Sequence, residues 1–223
     1  MWNHFLNTLR YRRIANQLRR PHGAGGLRTA AVMNRSNEHL YNLTIEAMQL
    51  KGNESILEIG FGNGMFFEKL LSKDQNLQLA GIDFSKTMVS AASEKNKPAL
   101  AAGRLSLFHG NSKRMPFADE NFNRVFCINV IYFWDKPSAH LSEIFRVLKP
   151  GGLFYATART SESLEKMPFT RYGFRKYREN EWKKCLEENG FSWVGTLLTD
   201  DPPADKKEKS ALFRSACFIA EKK

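Results

Sequence analysis

Apolar positions along the chain change period several times, and the changes mark out its elements. From Asn37 to Leu50 they fall at 40, 43, 47 and 50, broadened by Ile45 and Met48, which is the period of a helix with one buried face. Lys51-Gly52-Asn53 ends that helix, since glycine and asparagine suit a helix C-terminus. The run "SILEI" at 55–59 then predicts a short buried strand around one carboxylate, Glu58. Glycines follow at every second position: Gly60, Gly62 and Gly64. A helix to about Lys73 comes next, then a strand from Leu77 to Ile82 that ends in Asp83. Ser85 is an N-cap for the following helix. Further strands are predicted at 104–108, from 124 to about 129 and from Leu153 onward. A helix over "SAHLSEIFRVLKPGG" is expected to stop at Pro150 and its glycines, and one over "ENEWKKCLEENGF" at Gly190. Strands at 191–198 and 212–220 close the chain.

Strand and helix alternate five times before that closing pair. This predicts an α/β protein with a mostly parallel sheet and helices on both faces. The last two strands have no helix between them, so they read as an antiparallel hairpin at one edge. Residues 1–36 read as a separate arm, and 37–223 as the domain proper. The arm is expected to be an N-terminal helical lid: a short amphipathic helix (Trp2, Phe5, Leu6, Leu9) and a glycine-rich link, "RRPHGAGG", that interrupts it.

Charge sharpens this picture in one place. The 223 residues carry a net +11, and residues 1–36 hold seven arginines, no lysine and no acid. Such a segment suits an anionic partner: nucleic acid, an anionic membrane surface or an acidic ligand. It also has the charge of a mitochondrial transit peptide but is poor in serine, so a cytoplasmic location is expected and import is the alternative. No stretch approaches the ~20 apolar residues of a membrane span. Three scattered cysteines (Cys127, Cys185, Cys217) give neither a disulfide framework nor a zinc spacing, so no metal is expected.

The glycine turn after the first strand is the candidate chemistry. Such turns bring backbone close to a nucleotide-like ligand at the carboxyl end of a parallel sheet. Asp83 ends the second strand 23 residues after Gly60, where a carboxylate can accept from two vicinal ribose hydroxyls. The dinucleotide fingerprint wants glycine at the sixth position, which is Met65 here, and no lysine followed by Ser or Thr makes a P-loop. A ligand with a ribose but no phosphate fits this turn better.

"ILEIGFGNG", "GIDFS", "GNSKRMPFADENFN", "VFCINVIYFW" and "EIFRVLKPGG", in this order and spacing, resemble the class I S-adenosylmethionine-dependent methyltransferases. Within them the chain is most similar to the small-molecule group that includes ubiquinone-biosynthesis-type enzymes. The resemblance implies a Rossmann-like seven-stranded sheet with an antiparallel last strand, and S-adenosyl-L-methionine as cofactor. It implies cofactor contacts at Glu58, Gly60, Phe61, Gly62 and Gly64 on the first motif. Asp83 matches the ribose ligand, Phe84 the residue flanking adenine, and Ser85 and Met88 follow them. Asn111 and Ser112 match the loop beside adenine, and Asn129 lies beside the sulfonium. The family's usual Phe-Asp before the fourth strand is Phe122-Asn123 here, which removes a charge.

A small-molecule acceptor is the expected substrate. The fourth strand is not followed by the (D/N)PP(Y/F) motif of enzymes that methylate base amino groups; "NVIYFWDKP" stands there. Tyr132, Phe133 and Trp134 would wall an apolar or aromatic acceptor. His22 and Tyr132 are the candidate catalytic groups, and Tyr132, Arg159 and Tyr172 the candidate substrate contacts. An RNA acceptor reached through the arginine arm is the alternative, and a non-enzymatic module of the same fold is the second.

Overall fold

The computed structural model describes residues 2–202 and 213–223, with side chains from residue 6 onward. Two helices open the chain, α1 (Trp2–Arg19) and α2 (Gly23–Met48). The alternating region then runs β1 (Ser55–Ile59), α3 (Phe67–Leu71), β2 (Gln78–Asp83), α4 (Lys86–Lys95), α5 (Lys97–Ala101), β3 (Leu105–His109) and β4 (Phe122–Ile128). It continues through α6 (Pro137–Val147), β5 (Leu148–Arg159), α7 (Ser161–Glu165) and α8 (Glu179–Glu187) to β6 (Phe191–Asp200) and β7 (Arg214–Lys222).

The sheet order is β3-β2-β1-β4-β5-β7-β6, and β7 runs antiparallel to both of its neighbours. The closing hairpin is therefore folded back so that β7 lies inside and β6 forms the edge. The order reverses between β1 and β4, which opens a crevice at their carboxyl ends, the place where open α/β sheets take ligands. The predicted strands match these spans to within a few residues; Leu212, the expected start of the last strand, lies outside the described residues.

Alternation along each strand sends side chains to two cores. Leu57, Val125 and Phe154 face a core closed by α6 and α8 through Leu141, Ile144 and Trp182. Ile56, Phe126 and Tyr155 face the other, closed by α2 and α3 through Leu40, Met48 and Phe67. Each such side chain, fully buried, contributes roughly 1.5–3 kcal/mol. Asn123, where the family's usual acid is absent, still makes structural hydrogen bonds. Its Oδ1 accepts from the Ser55 backbone N–H at 3.0 Å and from Lys149 Nζ at 3.1 Å, which joins the start of β1 to the turn inside β5.

Two expectations are corrected. The helix over 138–152 stops at Val147, because Leu148 already pairs with Phe122. Lys149 to Gly152 then bulge out before pairing resumes at Leu153 with Arg124. In the arm, Gly23 to Gly26 are no flexible link but the first turn of α2. The break is confined to Arg20-Pro21-His22, where His22 is extended (φ −144°, ψ 149°). Gly26 permits the reversal, since a Cβ there would lie 2.7 Å from the Pro21 carbonyl carbon. The 36/37 division accordingly falls inside one continuous helix.

Candidate active site

The carboxyl ends of β1, β2, β4 and β5 open into one cavity of about 510 Å³, within the range of small-molecule sites. The glycine turn forms its floor. Gly60 has φ +76°, and a Cβ there would meet Val130 Cγ2 at 2.6 Å, so any larger residue would clash and be strained. Gly62, at φ +59°, has open space where its Cβ would be.

Asp83 sits at the mouth of this turn and is buried. Its Oδ2 accepts from the Gly62 N–H at 3.0 Å and its Oδ1 from the Ser85 N–H at 2.8 Å. Those bonds fix the carboxylate and leave further lone pairs for a ligand. Burial pushes its pKa up to about 6 despite them. Phe84, Met88, Asn111 and Ser112 line the wall beyond. The Ser112 hydroxyl is held by His140 Nδ1 at 2.7 Å, and His140 stacks flat on Trp134 at 4.6 Å. Burial lowers the His140 pKa to about 4, so that ring is neutral.

The roof is α2, and it is tied to the strand ends by polar pairs. Tyr41 Oη donates to Glu58 Oε1 at 2.5 Å. Asn129 Nδ2 donates to Asn37 Oδ1 at 2.9 Å, and the Thr44 and Thr157 hydroxyls meet at 2.7 Å. His39 Nε2 lies 2.9 Å from Asp201 Oδ1, and Asp201 also holds Arg159 and the Ser215 hydroxyl. Positions 37, 41 and 44 recur at helical spacing, so one face of α2 reads the ends of β1, β4 and β5. The α1–α2 junction is tied as well: the Ser85 hydroxyl donates to the Pro21 carbonyl, and the Gly23 N–H to Thr87 Oγ1 at 3.3 Å.

Glu58 lies beneath the floor, screened by Tyr41. Burial, with Asp83 nearby, raises its pKa from 4.5 to about 8, although the Tyr41 bond acts the other way. The folded chain thus holds a proton that the unfolded chain releases near 4.5. Stability from this group is present below that pH and is lost as pH rises to about 8, at up to ~1.4 kcal/mol per pH unit. Asp83 adds to the same loss below about pH 6. His140, whose pKa is lowered to about 4, and His39, also lowered, gain stability as pH rises to 6.5 and offset this loss there, so denaturant unfolding of the cofactor-free protein should show falling stability from about pH 6.5 to pH 8, and Glu58→Gln should flatten it. A variant with the wild-type slope would show that Glu58 is not the titrating group.

The far end of the cavity is apolar. Tyr132, Phe133 and Phe174 pack together with ring centroids 4.7–5.0 Å apart, and Phe169, Leu164 and Met167 complete the wall. Arg159 borders this end, half-buried and engaged by Asp201. Tyr132 is buried and its phenol pKa is raised further, so it is no base at neutral pH.

The cavity thus gathers Gly60, Phe61, Gly62, Asp83, Phe84, Met88, Asn111, Ser112, Asn129, Tyr132 and Arg159. Five other candidates do not line it. Glu58 lies behind Tyr41, and Gly64 is buttressing, since a Cβ there would meet Ala92 and Asn96 at 2.8 Å. Ser85 is spent on capping α4 and holding Pro21. His22 is exposed, and its ring meets Gln17 and the Arg20 carbonyl. Tyr172 lies under the Arg12 guanidinium, 5.4 Å from it, outside the cavity. Sequence reading missed Asn37, Tyr41 and His140. The helical spacing of 37, 41 and 44 was visible, but their partners on other elements were not.

A phosphate-free, ribose-bearing cofactor fits these residues. Asp83 offers a fixed carboxylate, the Asn129 Oδ1 is buried at the wall with no partner, and the glycine turn itself, residues 60–64, contains no lysine or arginine. Comparison with known proteins agrees. A family model described as a methyltransferase domain matches residues 57–156. The Bacillus subtilis protein YrhH, named as a methyltransferase, is 34% identical over 120 residues, 54% of this chain and 66% of that one. The demethylmenaquinone methyltransferase of Oceanobacillus iheyensis is 28% identical over 178 residues, 78% of this chain and 74% of that one. A chain of the complex between the Haloferax volcanii Trm112 methyltransferase activator and a methyltransferase superposes with a TM-score of 0.76 at 18% identity, over 86% of this chain and 93% of that one. The sheet order, the cavity at its switch point and these matches agree: the chain belongs to the class I S-adenosylmethionine-dependent methyltransferases.

Proposed function

We propose that the chain methylates a small, largely apolar molecule. The observation that supports this reading is the roofed cavity: one end carries Asp83 and the glycine turn, the other is walled by Tyr132, Phe133 and Phe174, and α2 is bonded across the top. A macromolecular acceptor would have to displace that roof. The demethylmenaquinone methyltransferase among its relatives acts, by its name, on demethylmenaquinone, which is consistent with a non-macromolecular acceptor here.

In this reading Asp83 accepts from the ribose hydroxyls, Asn129 Oδ1 takes an N–H donor, and Asn111 and Ser112 border the base. When bound, S-adenosyl-L-methionine supplies a methyl group already activated on a sulfonium. The chain's own task is then alignment and exclusion of water, which α2 and the aromatic wall perform. Tyr132 remains protonated and Arg159 remains paired, so neither removes a proton at neutral pH. That favours an acceptor atom that needs no prior deprotonation.

Transfer of labelled methyl from the cofactor into fractionated cell extract tests the proposal. Label should appear in the solvent-extractable small molecules and vanish with Asp83→Ala. Label in RNA or protein would overturn it.

A further inference from the structure

The outer face of the roof is built unlike the rest of the surface. All seven arginines of residues 1–36 are exposed, and the first carboxylate is Glu38. Among the described residues none of the seven pairs with a carboxylate. The same two helices carry Leu6, Leu9, Leu27 and Val32, each 45–53% exposed, which is four of the eight large apolar side chains exposed among the described residues.

Helical spacing puts these groups together. At 100° per residue, Leu6, Leu9 and Arg13 share one arc of α1. Leu27, Arg28, Val32 and Arg35 likewise fall on one side of α2. On α2 the opposite arc, with Thr29, Met33 and Asn37, lines the cavity. On α1 the opposite arc is half-buried and includes Leu18, which also lines the cavity. Each roof helix therefore has one face toward the site and another that interleaves aliphatic side chains with arginines.

We infer that this outer face docks the enzyme on an anionic lipid surface. Arginines alone would suit any polyanion. Exposed leucine and valine between them suit only a partner with hydrocarbon to receive them, and the combination is that of helices lying in a membrane interface. Nucleic acid would be met better by free aromatic faces, and two rings beside these arginines, Tyr172 and Phe84, are already covered by Arg12 and Arg20. Docked this way, the roof helices lie between the lipid and the apolar end of the cavity.

The test is sedimentation of the full chain with phosphatidylcholine vesicles, with and without phosphatidylglycerol. Binding should be at least about tenfold stronger to the anionic vesicles and should weaken as salt is raised. The double variant Arg13→Glu/Arg28→Glu should lose about tenfold, and so should Leu9→Ser/Val32→Ser, whose charge is unchanged. Calorimetric cofactor affinity should be the same in both variants, which shows that the fold is intact. Vesicles should also slow amide exchange of α1 and α2 in the wild type, a measurement that needs no variant. No preference for anionic vesicles, or wild-type binding by the serine variant, would overturn the inference. The second outcome would identify a face for polyanions such as RNA. The vesicle experiment uses neither cofactor nor acceptor, so its failure leaves the proposed methyl transfer standing.

Discussion

Asp83→Ala should weaken cofactor binding about 100-fold, read by titration calorimetry with S-adenosylmethionine. The substitution removes a charged acceptor whose hydrogen bonds to a ligand are worth roughly 1.5–3 kcal/mol each, and ~1.4 kcal/mol is a factor of ten. It also strips the Gly62 and Ser85 N–H groups of their partner. Ser85 is buried, so an orphaned donor there costs about 1–3 kcal/mol and loosens the turn itself. Asp83→Asn separates these effects. It keeps one acceptor oxygen and the shape of the site but loses the charge, and should fall between wild type and alanine. If Asp83→Ala binds within about threefold of wild type, the carboxylate does not hold the cofactor and the site assignment fails.

Trp182→Ala should cost about 3–5 kcal/mol of stability, the range for truncating a large buried aromatic. Trp182 is the largest fully buried side chain of the core. It packs against Tyr177 at 4.9 Å and Trp134 at 6.1 Å, and Trp134 in turn stacks on the histidine that holds Ser112. The void would therefore reach the cavity wall, and cofactor affinity should fall with stability. Trp182→Phe should be mild, at about 1.5 kcal/mol or less, because the lost indole Nε1 has no hydrogen-bond partner in the core. Denaturant unfolding of the two variants checks both values. Equal, small losses in both would show that α8 packs more loosely than its burial implies.

The glycine turn and Asp83 were legible from the sequence because each rests on local chemistry. A positive φ needs glycine, and a strand end sets where a carboxylate lies. The hydrophobic wall was half legible: the run Tyr132, Phe133, Trp134 is contiguous, but Phe169 and Phe174 reach it from a loop that shows no period. The arm was misjudged in part. Glycines at 23–26 weaken a helix by propensity, yet tertiary ties from Gly23 to Thr87 and from Pro21 to Ser85 hold its first turn in place.

By itself, then, the sequence determined the alternation of strands and helices, the glycine turn, the carboxylate at the end of the second strand and an arginine-rich start. Hydrophobic period, backbone sterics and charge are written residue by residue, and they act over a few positions. Only the tertiary structure decided that α2 roofs the site, that Tyr41 screens Glu58 and Asn37 holds Asn129, and that His22 and Tyr172 stand outside. Those contacts join residues distant in sequence, such as Asn37 and Asn129, whose pairing depends on how the helix crosses the sheet. No local pattern of side chains encodes that crossing, because it is set by the packing of the whole core.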